Sequence, residues 1–333
     1  MPYDPAPPEI EALAGRRAEA RRARDWALAD SLKAEIEASG WRVVDAATLW
    51  SLERAHAPTL EIGGRTRYGS SAAVPSRLDD KPIGVATIVM LATDWPEDVA
   101  RAVGALAEHA PDGTQVIIVA NAPSVAQEEA LEALDRADPG APGMITEVVW
   151  TSERLGHAAA LNAGIRRAVA PVVLLLDTSV EPGGDIVTRL IAALDDPTVA
   201  VAGPLGIVSP DLRRFSEAPE GAVDADVDAV EGYALAFRRD DYVARGPLDE
   251  QFRFYRNLDI WWSLVLREQG EDGDDDAPPR RAVRVAGLPI ARHAHRGWAS
   301  LPAEERDRLS KKNLYRILKR FATRRDLLVG SGG

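Results

Sequence analysis

Residues 155–182 read LGHAAALNAGIRRAVAPVVLLLDTSVEP, and this stretch decides the fold class. Leu155 to Val169 has the length of a helix, Val172 to Leu176 is an unbroken apolar run of strand length, and the polar triplet Asp177-Thr178-Ser179 follows at once. A short strand that is apolar at every position is buried on both faces, the habit of parallel sheets covered by helices.

The same texture extends outward. Val85 to Leu91, Gln115 to Ala120, Ile145 to Trp150 and Val199 to Ala202 are further runs rich in Val and Ile, and Glu97 to His109 is helical in length. That helix opens with Asp94 and Glu97 at capping-box spacing and Pro96 in its first turn. Strands alternating with helices imply βαβ crossovers, hence an α/β fold with a mostly parallel sheet and helices on both faces. No repeat of solenoid period is present. Beyond about residue 205 the alternation gives way to an acidic loop, Glu217 to Asp228, a strand at Ala234 to Phe237 and a helix at Asn257 to Glu268. The run Glu271, Asp272, Asp274, Asp275, Asp276 reads as a solvated loop, and a last helix spans Ala303 to Phe321.

Toward the N-terminus, residues 9–39 are dense in Ala, Glu, Arg and Leu, with Leu28, Leu32 and Ile36 on one helical face and Gly40 as the stop. Between 57 and 82 the chain turns to Pro, Gly, Ser and Thr without periodicity, the composition of a linker. The expected organisation is therefore a helical module over 1–56, a linker over 57–82 and an α/β domain over 83–325.

Composition removes several functions. Forty Lys and Arg against 52 Asp and Glu leave a net charge of −12 over 333 residues, which argues against nucleic-acid binding through bulk charge. There is no cysteine, so disulfides, thiolate nucleophiles and zinc–cysteine sites are excluded. No apolar run approaches the ~20 residues of a membrane span and no signal peptide is evident, so a cytoplasmic protein is expected.

In open parallel sheets ligands sit outside the carboxyl ends of the strands. The polar residues there are Thr93 and Asp94, then Asn121, then Thr151 to Glu153, then Asp177-Thr178-Ser179. Neither GxGxxG nor GxxxxGK[ST] is present, which argues against a nicotinamide Rossmann site and a P-loop.

Four segments, Leu155 to Ile165, Leu174 to Pro182, Glu231 to Arg239 and Pro247 to Phe252 leading into Leu258-Asp259, together resemble the GT-A glycosyltransferases of family 2 over about residues 84–321. The resemblance implies a Rossmann-like GT-A domain, an inverting transfer from a nucleotide-diphospho-sugar to a hydroxyl, and a divalent cation, Mg²⁺ or Mn²⁺, on the diphosphate. Asp177 matches the first position of the family's Asp-x-Asp element, but Ser179 replaces the metal carboxylate, so any cation is expected to be weakly held. Asp259 matches the catalytic base, with plain helix capping as the alternative account of it. His293 or His295 matches a further metal or diphosphate ligand, with one of the two structural because alternate strand residues face opposite ways. Thr93, Asp94, Asn121, Arg154, Asn162, Asp177 and Arg296 are the expected donor-side residues, and Ala120 stands where the family reads the base with an Asp. The acceptor is an unidentified hydroxyl, on a glycan or lipid-linked glycan for example. A non-catalytic sugar-nucleotide or RNA-associated binding protein on a decayed transferase fold is the alternative, kept open by Ala120 and Ser179.

Residues 16–50, with Arg16, Arg17, Arg21, Arg22 and Arg24 ahead of Asp25-Trp26, resemble the short C-terminal motif of cysteinyl-tRNA synthetases. The resemblance leaves two readings open: arginines touching RNA phosphates, or a solvated helix balanced by Glu11, Glu19, Glu35 and Glu37.

Overall fold

A computed structural model describes residues 6–46, 49–92, 94–136, 143–269 and 278–329. The chain forms two compact units, Met1–Leu60 and Glu61–Gly333.

The first unit is more than a helix. The helices Pro8–Arg22 and Trp26–Ala38 are separated at Arg24, whose φ of 60° lies in the left-handed region, and Asp25 caps the second by accepting the Leu28 N–H at 3.1 Å. After Gly40 the chain folds into a hairpin, Trp41–Ala46 against Leu49–Arg54, an element the helical reading of this module did not include. Ile10, Ala14, Ile36, Trp41 and Leu52 form its small core. Arg17 grips Asp45 in a bidentate pair at 3.0 and 2.9 Å, and Arg21 bonds the same carboxylate. Two of the five arginines are thereby spent within the module.

The second unit is built on an eight-stranded sheet in the order Ala225–Val227, Arg281–Arg284, Val199–Gly203, Ala234–Arg238, Val172–Leu176, Ala86–Ala92, Thr114–Ala120, Met144–Trp150. Its last four strands are mutually parallel, while Ala234–Arg238 runs antiparallel between Val172–Leu176 and Val199–Gly203. Alternation along the strands divides the core into two layers. Val89, Ile117, Val173 and Leu175 face the helices His157–Ile165, Leu258–Arg267 and Ala303–Phe321, while Ile88, Met90, Ile118 and Leu174 face Pro96–His109 and Val187–Leu194. Every residue of Thr114–Ala120 and Val172–Leu176 is buried, which explains why these strands carry no polar alternation.

Several expectations are corrected. Residues 61–82 are no free linker: Val74 is fully buried in the core, Tyr68 bridges to Thr151, and the N–H groups of Arg77 and Ile83 donate to the Arg166 and Val169 carbonyls. Their Pro, Gly and Ser content serves a coil that follows the domain surface. The first helix of the sheet has Trp95 at its N-cap with no side-chain cap, because Asp94 stands one residue before that position; it pairs with Arg154. The helix expected over 155–169 is His157–Ile165, and the acidic stretch contains the edge strand Ala225–Val227. The run 271–276 and Thr93 lie outside the described residues.

Candidate active site

At the carboxyl edge of the sheet two cavities, of about 260 and 240 Å³, share His157, Asp177, Ser179, Tyr255 and His295. The first continues over Asp94, Asp98, Asn121, Arg154, Arg253 and Arg296; the second runs to Glu231, Tyr233, Arg256, Asp259, Arg292 and Trp298. A third, of about 190 Å³, adjoins the second through Glu231, Arg256 and Asp259.

Asp177 stands at the junction because the buried strand Val172–Leu176 ends there and the next N–H donates to the Tyr233 carbonyl at 2.8 Å. Its Oδ1 accepts the Ser179 N–H at 2.8 Å and its Oδ2 lies 3.3 Å from His295 Nε2. Burial works against the charge, yet the bonds from His295 and Ser179 prevail and hold the carboxyl at about 2, ionised at any physiological pH. His295 is the N-cap of the short helix Arg296–Ala299, its Nδ1 accepting the Trp298 N–H at 2.9 Å. A ring nitrogen that accepts carries no hydrogen, so the neutral imidazole has its proton on Nε2, aimed at Asp177. Burial opposes its protonation, the Asp177 bond and charge outweigh burial, and its pKa is raised. The Tyr255 ring stacks on this imidazole with centroids 4.6 Å apart. His157, in the first helical turn beside them, is pushed down to about 4 by burial and stays neutral.

Asp259 sits in the first turn of Leu258–Arg267, which begins after Asn257 in the left-handed region. Its Oδ2 accepts the Gly232 N–H at 2.9 Å and its Oδ1 that of Ile260 at 2.9 Å. A Cβ on residue 232 would stand 3.0 Å from the Asp259 Cβ, so glycine there permits the close approach. Burial raises the pKa of Asp259 despite these bonds, and burial likewise raises that of Glu231, against the opposing Arg292.

The residues expected at the donor are divided by the structure. Asp94, Asn121, Arg154, Asp177, His295 and Arg296 line the first cavity. Asn121 is 5% exposed and clamps Leu155, accepting its N–H at 2.8 Å and donating to its carbonyl at 3.2 Å. Asn162 does not reach either cavity. It is fully engaged beneath them, donating to the Leu248 carbonyl and Glu250 and accepting from Leu248 N–H and Tyr242 Oη, at 2.9 to 3.1 Å. His293 is also displaced: its Nε2 pairs with Glu181 at 2.6 Å, and the extended residues 293–295 place the two imidazoles on different sides. Arg296 is bound to Glu97 and lies 3.2 Å from Asp98, so its charge is compensated.

A divalent cation fits this donor set poorly. Ser179 brings no carboxylate, Glu181 is turned to His293, and His295 presents Nε2–H where a ligand must present a lone pair. Among the described residues no three His, Asp or Glu side chains converge as a metal site. His157, Glu231, Arg253, Tyr255, Arg256 and Trp298 were absent from the residues expected by sequence. His157 and Glu231 lie inside the family-like segments, whereas 253–256 fall in the gap between two of them.

Residues 87–244 match the sequence profile of the family described as Glycosyl transferase family 2. No curated protein matches the chain. Among solved structures, one of GalNAc-T7 with UDP, GalNAc and Mn²⁺ is similar, at 14% identity and TM-score 0.57, over 71% of this chain and 48% of that one. The chain thus spans about half the length of that relative. The mannosyltransferase PcManGT from Pyrobaculum calidifontis, in complex with GDP-Man and Mn²⁺, matches at 17% identity and TM-score 0.44, over 65% of this chain and 57% of that one. S. aureus TarS 1-349 in complex with UDP matches at 10% identity and TM-score 0.46, over 74% of this chain and 76% of that one. The likeness to the GalNAc-T7 structure identifies the fold as GT-A.

Proposed function

We propose that this chain, in which residues 87–244 carry a glycosyl transferase family 2 domain, moves a sugar from a nucleoside-diphosphate donor to a hydroxyl acceptor with inversion at the anomeric carbon. The observation that supports it most is the pairing of two unlike carboxylates on one cavity: Asp177, held ionised, and Asp259, with its pKa raised. Groups whose environments push their pKa values apart are suited to different tasks.

In this reading the first cavity takes the nucleotide and the second the sugar and the incoming hydroxyl. Asp177 accepts hydrogen bonds from donor hydroxyls. Asp259 takes the proton of the acceptor hydroxyl while the hydroxyl oxygen bonds to the anomeric carbon. The bond from that carbon to the diphosphate oxygen breaks on the opposite face, and its electron pair leaves with the diphosphate. One base suffices, and a raised pKa brings it closer to the ambient pH, where general bases are most effective. Tyr255 and Trp298 give the sugar ring an apolar wall.

The test is incubation with a panel of UDP-, GDP- and dTDP-sugars, with the released or transferred sugar followed by proton NMR. The account expects one donor to be consumed and the first-formed product to have the anomeric configuration opposite to the donor's. Retention would remove the single-displacement step, and binding of a donor without its consumption would favour the non-catalytic alternative.

A further inference from the structure

The cleft holds five arginines, and they are not equivalent. Arg154 lies 3.2 Å from Asp94, Arg296 is held by Glu97 and Asp98, and Arg292 lies 3.5 Å from Glu231 with its guanidinium 3.9 Å from the Tyr233 ring. Each of these three charges already has a carboxylate. Arg253 and Arg256 form no ion pair among the described residues, although both are exposed to the cleft. They flank Tyr255, the residue that packs on the His295 imidazole where the two cavities meet.

Their backbone is fixed. The Arg253 carbonyl accepts the His157 N–H at 3.1 Å, and the Arg256 carbonyl accepts from Asn313 Nδ2 at 2.8 Å. Arg253 lines the first cavity and Arg256 the second and third, so the two residues stand on either side of the junction. Such groups match the geometry and charge of phosphate oxygens. Beside them, the Nε2–H of His295 is directed at Asp177, so this imidazole is not a metal ligand as long as Nδ1 caps the Arg296–Ala299 helix.

We propose that the diphosphate of the donor is held by Arg253 and Arg256, and that this cleft binds a nucleoside diphosphate without a divalent cation. The inference rests on the transferase reading above and narrows it, because it assigns to protein cations the charge compensation that the incomplete Asp177–Ser179 element does not supply.

The experiment is calorimetric titration of UDP and of GDP into the full chain, in EDTA and in Mn²⁺, with Arg253→Ala, Arg256→Ala and Arg253→Lys alongside. Binding of one diphosphate is expected with a Kd equal within about threefold in the two buffers. Each alanine variant should weaken it about tenfold or more at unchanged melting temperature, and Arg253→Lys should recover part of the loss, since it restores the charge without the planar fork. Binding that requires Mn²⁺ and vanishes in EDTA would overturn the inference and leave the transferase reading intact. So would alanine variants that bind as tightly as the parent. Absence of binding by any nucleoside diphosphate in either buffer would overturn both.

Discussion

At the scale of single residues, Asp259 has the sharpest consequences. Its carboxyl is buried and its pKa raised, so activity should fall as pH drops through a value above the ordinary carboxylate range of about 4. A pH–rate profile checks this, and an acid limb at or below that range would assign the base elsewhere. The same shift sets a sign for stability. A carboxyl whose folded pKa exceeds its unfolded one contributes most below the unfolded pKa and loses that contribution as pH rises through the folded pKa. Asp259→Asn should therefore gain thermal stability relative to the parent as pH is raised from about 4 to 8, and a difference that is flat with pH would contradict burial as the cause. Sequence reading named Asp259 and Asp177 as candidates because each ends or begins an element whose boundary is written in hydrophobicity, and both line the second cavity. It did not show that polar atoms of Asn162, Arg296 and His293 are engaged by Glu250, Asp98 and Glu181, partners distant in sequence, although Arg296 still lines the first cavity.

At the scale of elements, the helix His157–Ile165 positions the cleft and depends on close packing. A Cβ on Gly164 would stand 2.5 Å from Val89 Cγ1 and 2.9 Å from Val119 Cγ2, inside the layer between helix and sheet. Gly164→Ala should cost about 1–3 kcal/mol, typical of overpacking, and denaturant unfolding will measure it. A change below about 0.5 kcal/mol would mean that the helix can shift away from the strands, as ordinary surface changes do not exceed that. The strands were legible because a buried parallel strand needs a continuous apolar run, and the observed bounds differ from those read by one residue at most. The hairpin Trp41–Ala46 with Leu49–Arg54 was not, since its exposed charges, Arg42 paired with Glu53 at 2.6 Å, blur the alternation that marks a strand. The capping box failed because the helix begins at Pro96 with Trp95 at its N-cap, so Asp94 stands one residue too early, and it pairs with Arg154.

At the scale of the whole molecule, the division after Leu60 falls within the stretch 57–82 that composition marked as a linker. Pro, Gly and Ser mark irregular backbone, whether free or laid along a domain, and only tertiary contacts such as those of Val74 and Tyr68 tell the two apart. A chain starting at Glu61 should bind nucleoside diphosphate as the full chain does, whereas one starting near residue 80 should lose stability with the loss of Val74. Equal melting temperatures for the two would show that 61–79 contributes nothing. The N-terminal unit has no role in the proposed chemistry, and no helix among the described residues is long and apolar enough to cross a membrane. The central claim is that one carboxylate drives transfer in a cleft that binds the donor independently of it. The direct test is to measure, for the parent and Asp259→Asn, both the turnover of the nucleotide-sugar found active in the panel and its Kd. The account predicts turnover lower by about 10²–10⁴-fold with Kd changed by no more than about threefold. Turnover that survives in Asp259→Asn, with donor binding intact, would contradict it.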